Sequence, residues 1–230
     1  PSLLHRGRYG MTRFNNLDER VLTVADFSTR RTMMVDTQVR PSDVTKFPII
    51  EAMLAVPREL FVPSDKREAA YASENIALGG GAVVLEPRTL AKLLDALDIQ
   101  PGEVVLDLGC GLGYSTAVLA RLADFVVSVE ADEDRATEAQ TILSEQGVDN
   151  AAVMAGPLAD GSAKSGPYDV VIIQGAVEQL PQAIVDQVKE GGRIGCVFAE
   201  GALGVVRVGY KIDGRLNWRY AFNAGAPVLA

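Results

Sequence analysis

Four residues in one short stretch have the types and spacing to hold a nucleotide-like cofactor. Asp107, Gly109, Gly111 and Gly113 stand at alternate positions directly after the apolar run Val104-Val105-Leu106. The run reads as a buried parallel strand. The glycines read as a tight turn that lets backbone approach a ligand, and Cys110 between them reads as a small filler that nothing nearby activates. From Ser115 to Leu122 apolar residues recur at helical spacing, so strand, glycine turn and helix make the cofactor corner of a doubly wound α/β domain. A dinucleotide fingerprint wants glycine at its first, third and sixth positions. Gly109 and Gly111 fit, but the sixth position is Tyr114. Asp107 would repel a pyrophosphate and suits a cationic amine. S-adenosylmethionine carries such an amine and no phosphate. A second acid, Glu130, ends the run Phe125-Val126-Val127-Ser128-Val129, where a carboxylate at a strand tip can accept both ribose hydroxyls.

These residues need a sheet to position them, and the chain supplies one. Its 230 residues, 48% hydrophobic and 23% charged, fit one α/β domain with an N-terminal addition. Residues 1–10 read as an expression remnant or an upstream extension with Met11 as the natural start, 11–78 as an N-terminal helical extension, and 79–230 as the cofactor-binding domain. A net charge of -8 disfavours broad nucleic-acid binding, although Arg6, Arg8, Arg13, Arg30, Arg31 and Arg40 crowd the N-terminal region. Two cysteines in apolar contexts predict free thiols in a reducing, cytoplasmic setting. With His5 as the single histidine no metal cluster is expected, and neither a signal peptide nor an apolar run long enough for a membrane span is visible.

Along the chain the pattern predicts a helix through 25–38, another including Ile49, Ile50, Met53 and Leu54, and a buried anchor at Leu60-Phe61-Val62. Gly79-Gly80-Gly81 opens a loop, and a helix over 88–97 turns Leu90, Leu93, Leu94 and Leu97 inward. After Glu130 an acidic helix start leads to about Gln146, then short strands are expected at Ala151–Ala155 and Tyr168–Ile173. Gln174-Gly175-Ala176 closes the latter strand, where open α/β sheets place ligand chemistry. Helix over 180–188 and strand over 193–198 come next. A final antiparallel pair, 205–210 and 216–222, is joined by a connection longer than a two-residue turn.

Over roughly residues 45–200 the chain resembles the protein-L-isoaspartate O-methyltransferase family. The resemblance rests on Val56-Pro57-Arg58-Glu59-Leu60-Phe61-Val62, Ala70-Tyr71, Gly81 through Pro87, Val105 through Ala120, Ser128-Val129-Glu130, Tyr168 to Ile173, Leu180-Pro181 and Gly191-Gly192, in that order. It implies a Rossmann-like class I methyltransferase fold, a seven-stranded mixed sheet with an N-terminal helical extension. It also implies methyl transfer from S-adenosylmethionine, leaving S-adenosylhomocysteine, to the α-carboxylate of isoaspartyl residues in protein. The implied cofactor positions are Asp107 for the methionine amine, Gly109, Cys110, Gly111 and Gly113 for close backbone passage, and Glu130 for the ribose. Ala131, Gly156 and Pro157 fall beside the adenine, and Gln174 near the methionine moiety and the transferring methyl. On the acceptor side the resemblance implies Leu85, Glu86 and Gln174, with Tyr71 and Val83 roofing the substrate.

Two departures stand out. The family's polar loop Gly-Gln-Thr-Ile-Ser-Gln-Pro is here Gly81-Ala82-Val83-Val84-Leu85-Glu86-Pro87, so leucine replaces the serine taken to hold the acceptor carboxylate. The family's Gly-Asp-Gly near the adenine is here Gly156-Pro157, with Asp160-Gly161 displaced. Three functional expectations follow: isoaspartyl-type transfer, transfer to another protein or small-molecule acceptor with Glu86 as base or orienting group, or cofactor binding without catalysis in a sensor. The apolar cluster Met33-Met34-Val35 fits either core packing or a homodimer contact.

Overall fold

Five near-continuous apolar runs become five parallel strands because both faces of a parallel sheet are covered. The computed structural model describes residues 26–201 and 203–229. Its parallel strands are β3 (Val104–Leu108), β4 (Phe125–Glu130), β5 (Ala151–Ala155), β6 (Tyr168–Val177) and β7 (Val188–Phe198). Two antiparallel strands, β8 (Val205–Ile212) and β9 (Arg215–Asn223), complete a seven-stranded sheet of order β5-β4-β3-β6-β7-β8-β9. A separate hairpin pairs β1 (Ile76–Gly79) with β2 (Ala82–Val84). The expected sheet, mainly parallel and closed by an antiparallel pair, is the one observed.

The register carries the functional geometry. Asp107 lies beside Ser128 on β4 and Ile172 on β6, so the order reverses on either side of β3. That reversal opens a crevice beyond the carboxyl ends of β3 and β6, the usual ligand position in such sheets.

Helices cover both faces. A helix over 26–34 runs into a π-turn at Val35–Val39, followed by α2 (Phe47–Ala55). The N-terminal helix α1 is the stretch over 26–34. Next come α3 (Pro87–Leu97), α4 (Tyr114–Leu119), α5 (Glu133–Glu145) and α6 (Gln182–Asp186). Helix α3 starts on Pro87, whose missing N–H costs nothing at that position, and buries Leu90, Leu93, Leu94 and Leu97 as expected. Helix α5 is capped by Asp132, whose side chain accepts from the Arg135 amide at 2.9 Å. One buried cluster joins Met34, Val35, Met53 and Phe61 to Val105 and Ile172 of the sheet. The boundary drawn between residues 78 and 79 falls inside β1, and the N-terminal helices share the sheet's core.

Several local expectations are corrected. Ile212 pairs with Arg215, so only Asp213 and Gly214 form the turn, both at positive φ (52° and 71°). That is the two-residue type I′ hairpin, whose twist matches its strands. The helix expected over 180–188 shrinks to Gln182–Asp186 because the chain from Val188 is already pairing with β6. Met34 and Val35 are core residues and Met33 is exposed. The N-terminal basic patch is largely neutralised among the described residues: Arg30 pairs with Asp26 and Glu68, Arg31 with Glu59, and Arg40 with Asp36. Arg6, Arg8, Arg13, His5 and Met11 lie outside the described residues.

Candidate cofactor and acceptor site

The glycine turn is held open by its backbone. Gly109, Gly111 and Gly113 have φ of +77°, +59° and +95°, values that a side chain would strain. The Gly109 amide donates to the Val129 carbonyl at 2.8 Å, and the Gly111 amide to Glu130 Oε2 at 2.9 Å. The turn is thus stitched to the tip of β4. Glu130 is 1% exposed, and its Oε1 accepts from the Asp132 amide (3.1 Å) and from Arg135 Nε (3.1 Å) and Nη2 (2.8 Å). Arg135 also donates from Nη1 to the Gly79 carbonyl at 3.2 Å, tying the β1–β2 hairpin to the same carboxylate.

Asp107 is wholly buried and forms a hub. Its Oδ2 accepts from the Ser115 (2.7 Å) and Thr116 (2.9 Å) hydroxyls, and Gln174 Nε2 donates to Oδ1 at 2.8 Å. Thr116 in turn shares a 2.8 Å hydrogen bond with Ser128 on β4. Burial raises the Asp107 carboxyl to about 6, against the lowering effect of these three donors, and Glu130 adds a smaller upward push.

Two spaces flank this hub. One, of about 460 Å³, lies at the carboxyl ends of β3 and β6 between Leu108, Leu158, Ile173 and Pro181, with the C-terminal segment as its wall. There Val228 bridges Ala176, and the Leu229 amide donates to the Ala176 carbonyl at 2.9 Å. The other, of only about 10 Å³, is enclosed by Val83, Leu85, Cys110, Tyr114, Ser115 and Gln174. It is about the size that admits one water, and it joins the loop Gly81–Pro87 to the glycine turn.

A sequence model of the family described as Protein-L-isoaspartate(D-aspartate) O-methyltransferase matches residues 30–207, more than half of the chain. The chain belongs to this family. Among its relatives, the protein-L-isoaspartate O-methyltransferase of Syntrophus aciditrophicus is 36% identical over 168 residues, 73% of this chain and 77% of that protein. The one from Koribacter versatilis is 33% identical over 191 residues, 83% and 86% of the two chains. A solved protein-L-isoaspartate O-methyltransferase shares the fold with a TM-score of 0.74 at 22% identity, over 89% of this chain and 66% of its own. A Plasmodium falciparum structure described as the same enzyme, with S-adenosyl-L-homocysteine bound, gives 0.75 at 18% identity over 87% and 98%.

The protein is therefore an S-adenosylmethionine-dependent methyltransferase of the isoaspartyl methyltransferase family. The residues present fit that cofactor: a positive-φ glycine turn, a carboxylate at the tip of β4, and an apolar space at the sheet's switch point. Gly156 lies next to Glu130, its amide donating to the Glu130 carbonyl at 3.0 Å, while Ala131 and Pro157 are exposed beside it. No cluster of metal-ligating side chains occurs among the described residues, and no described helix is long and apolar enough to cross a membrane.

Among the acceptor-side positions, Val83, Leu85 and Gln174 come together with Cys110 around the small cavity. Two others are committed elsewhere. The Tyr71 hydroxyl donates to Glu59 and accepts from Arg31 Nε at 2.9 Å, so it serves the N-terminal packing. Glu86 accepts from the Thr89 hydroxyl at 2.6 Å and its amide donates to Asn75 Oδ1 at 2.8 Å, which makes it part of the α3 start. Tyr114, at the sixth position of the fingerprint, is fully enclosed. Sequence reasoning missed Ser115, Thr116, Arg135 and Arg58. Only the hydroxyl pair Ser115-Thr116, in the first turn of the helix after the glycines, carried a local signal, because that turn leads back to the end of the strand bearing Asp107.

Proposed function

We propose that the protein methylates a free carboxylate in protein substrates, the α-carboxylate of an isoaspartyl residue. Family membership carries the reading, and the side chains packed around the acceptor-loop residues Val83 and Leu85 support it. No amine, imidazole or carboxylate stands among them. Burial pushes the Cys110 thiol well above its ordinary value and raises the Tyr114 phenol, so neither takes up a proton near neutrality. Asp107 stands behind Ser115 and Gln174 with three donors already on it. An alcohol or amine acceptor would need a base. A carboxylate brings its own charge and moves no proton.

S-adenosylmethionine, when bound, supplies a methyl group already activated on a sulfonium. The protein's share is position and electrostatics. Gly109 and Gly111 let backbone pass close, Glu130 offers oxygens to ribose hydroxyls, and Asp107 favours the nearby amine and fixes Gln174. Gln174 lines the small cavity together with Val83 and Leu85, between Asp107 and the acceptor loop.

The test is transfer of a radiolabelled methyl group to an isoaspartyl peptide, with its aspartyl isomer as control. Incorporation into the isoaspartyl peptide alone, as a base-labile ester, is expected. Calorimetric binding of S-adenosylhomocysteine with no transfer to either peptide would refute the acceptor reading. It would favour a less charged acceptor, which the apolar Val83 and Leu85 also support. Val83→Thr with Leu85→Ser, which restores the polar loop, would then be expected to raise isoaspartyl transfer.

A further inference from the structure

Arg58 is 0% exposed and forms no ion pair among the described residues. Its Nε donates to the Ala70 carbonyl at 2.6 Å and its Nη2 to the Leu85 carbonyl at 2.9 Å. Its Nη1 and the Tyr114 hydroxyl make no well-formed hydrogen bond, and the two groups interact with each other without an anion between them. The guanidinium lies 4.7 Å from the centroid of the Tyr114 ring. Adjacent Glu59 gives no compensation, since it is held by Arg31 and Tyr71. A fully buried cation without a counter-ion is costly, and two carbonyl bonds repay only part of that cost.

Leu85, whose carbonyl takes Nη2, is one of the acceptor-loop positions, and Tyr114, under the guanidinium, lines the one-water cavity beside that loop. The positive charge therefore sits directly against the backbone of the loop that carries the acceptor-side positions Val83 and Leu85. Leu85 itself offers no donor to a carboxylate. We propose that Arg58 is a specificity residue whose uncompensated charge, set against Leu85 and Tyr114, makes the site select an anionic acceptor over its neutral isostere. The proposal rests on the carboxylate reading above and names the group that enforces it. Within several ångströms in a protein interior, a full charge favours an anion by about tenfold or more.

The test compares two peptides of one sequence, one with an isoaspartyl residue carrying the free α-carboxylate and one with its α-carboxamide. Binding of each is measured by fluorescence anisotropy with S-adenosylhomocysteine present. The wild-type protein is expected to prefer the acid at least tenfold, and Arg58→Lys to retain most of that preference. Arg58→Met is expected to bring the ratio within about twofold of one while S-adenosylhomocysteine affinity stays intact. An unchanged ratio in a folded Arg58→Met protein overturns the proposal but leaves the carboxylate reading standing. Should Arg58→Met fail to fold, the wild-type ratio is measured in 50 mM and 500 mM salt. A buried charge keeps its preference there, whereas collapse of the ratio would assign it to surface charges and overturn the proposal. Absence of any acid preference in the wild type, together with no isoaspartyl transfer, removes both readings.

Discussion

Replacing Asp107 with asparagine is expected to stabilise the protein while weakening its cofactor site. The Asp107 carboxyl is raised from its ordinary 3.8 to about 6, and burial is the largest cause. Below pH 4 the group is protonated in both folded and unfolded chains, and its burial costs little. As pH rises from 4 to 6 the unfolded chain ionises while the folded one holds its proton, so folding loses stability over that window. At 1.36 kcal/mol per pH unit the loss levels off above pH 6 at about 3 kcal/mol. Asparagine has the same shape and does not ionise. Its carbonyl can accept from the Ser115 and Thr116 hydroxyls, and the Gln174 amide can turn to accept from its NH₂. Urea denaturation of the two proteins from pH 4 to pH 8 reads the difference directly. The stability of Asp107→Asn relative to wild type should climb by about 3 kcal/mol between pH 4 and pH 7 and then stay flat. A difference that does not change with pH would refute the reasoning. In the same samples, calorimetry should show weaker S-adenosylmethionine binding, the signature of a residue kept for function at the expense of stability.

Arg193→Ala is expected to cost about 2–4 kcal/mol in denaturant unfolding, because the guanidinium grips both Glu103 oxygens (2.7 and 2.8 Å) and the carbonyls of Leu97 and Asp98. Cys110 and Cys196 are buried, and burial pushes Cys196 up to about 12. Neither should react with a disulfide reagent at pH 8 until denaturant is added, and absorbance of the released thiol checks it. Gly204→Ala would drive its methyl group into the Ala224 carbonyl and to 2.7 Å from Val197. The expected cost is about 2 kcal/mol or more, seen as a lower thermal midpoint.

Patterns that need only near neighbours were legible in the sequence. The runs at 104–108, 125–130 and 168–173 announced buried parallel strands, and the alternate glycines after Asp107 announced the turn that joins them to a ligand. The leucine stripe of α3 did the same for a helix face. Features that depend on distant partners were hidden. Tyr71 was expected over the acceptor, yet its hydroxyl is taken by Glu59 and by Arg31, 40 residues away in sequence. Glu86 looked like a base until its partners Thr89 and Asn75 were in place. Arg58 stands in the run Val56–Val62 that carries the resemblance, but nothing local says that Ala70 and Leu85 will close around it. The Asp213-Gly214 turn was underestimated for a different reason: pairing out to Ile212 and Arg215 is decided by β8 and β9 together.

Glu130 holds its two oxygens unequally. Oε1 carries three donors, two of them from Arg135, and Oε2 carries the Gly111 amide. A ribose hydroxyl that takes the open site on Oε2 adds a contact, whereas one that takes Oε1 must displace a donor and gains only the difference between two contacts. Arg135 is also the tether to Gly79. Whatever loosens its hold on Glu130 loosens the hairpin that leads into the acceptor loop, and by reciprocity a substrate that pulls the hairpin away changes the strength of ribose binding by the same factor. One arginine thus gives the two binding steps a shared coupling free energy, the same whichever ligand arrives first.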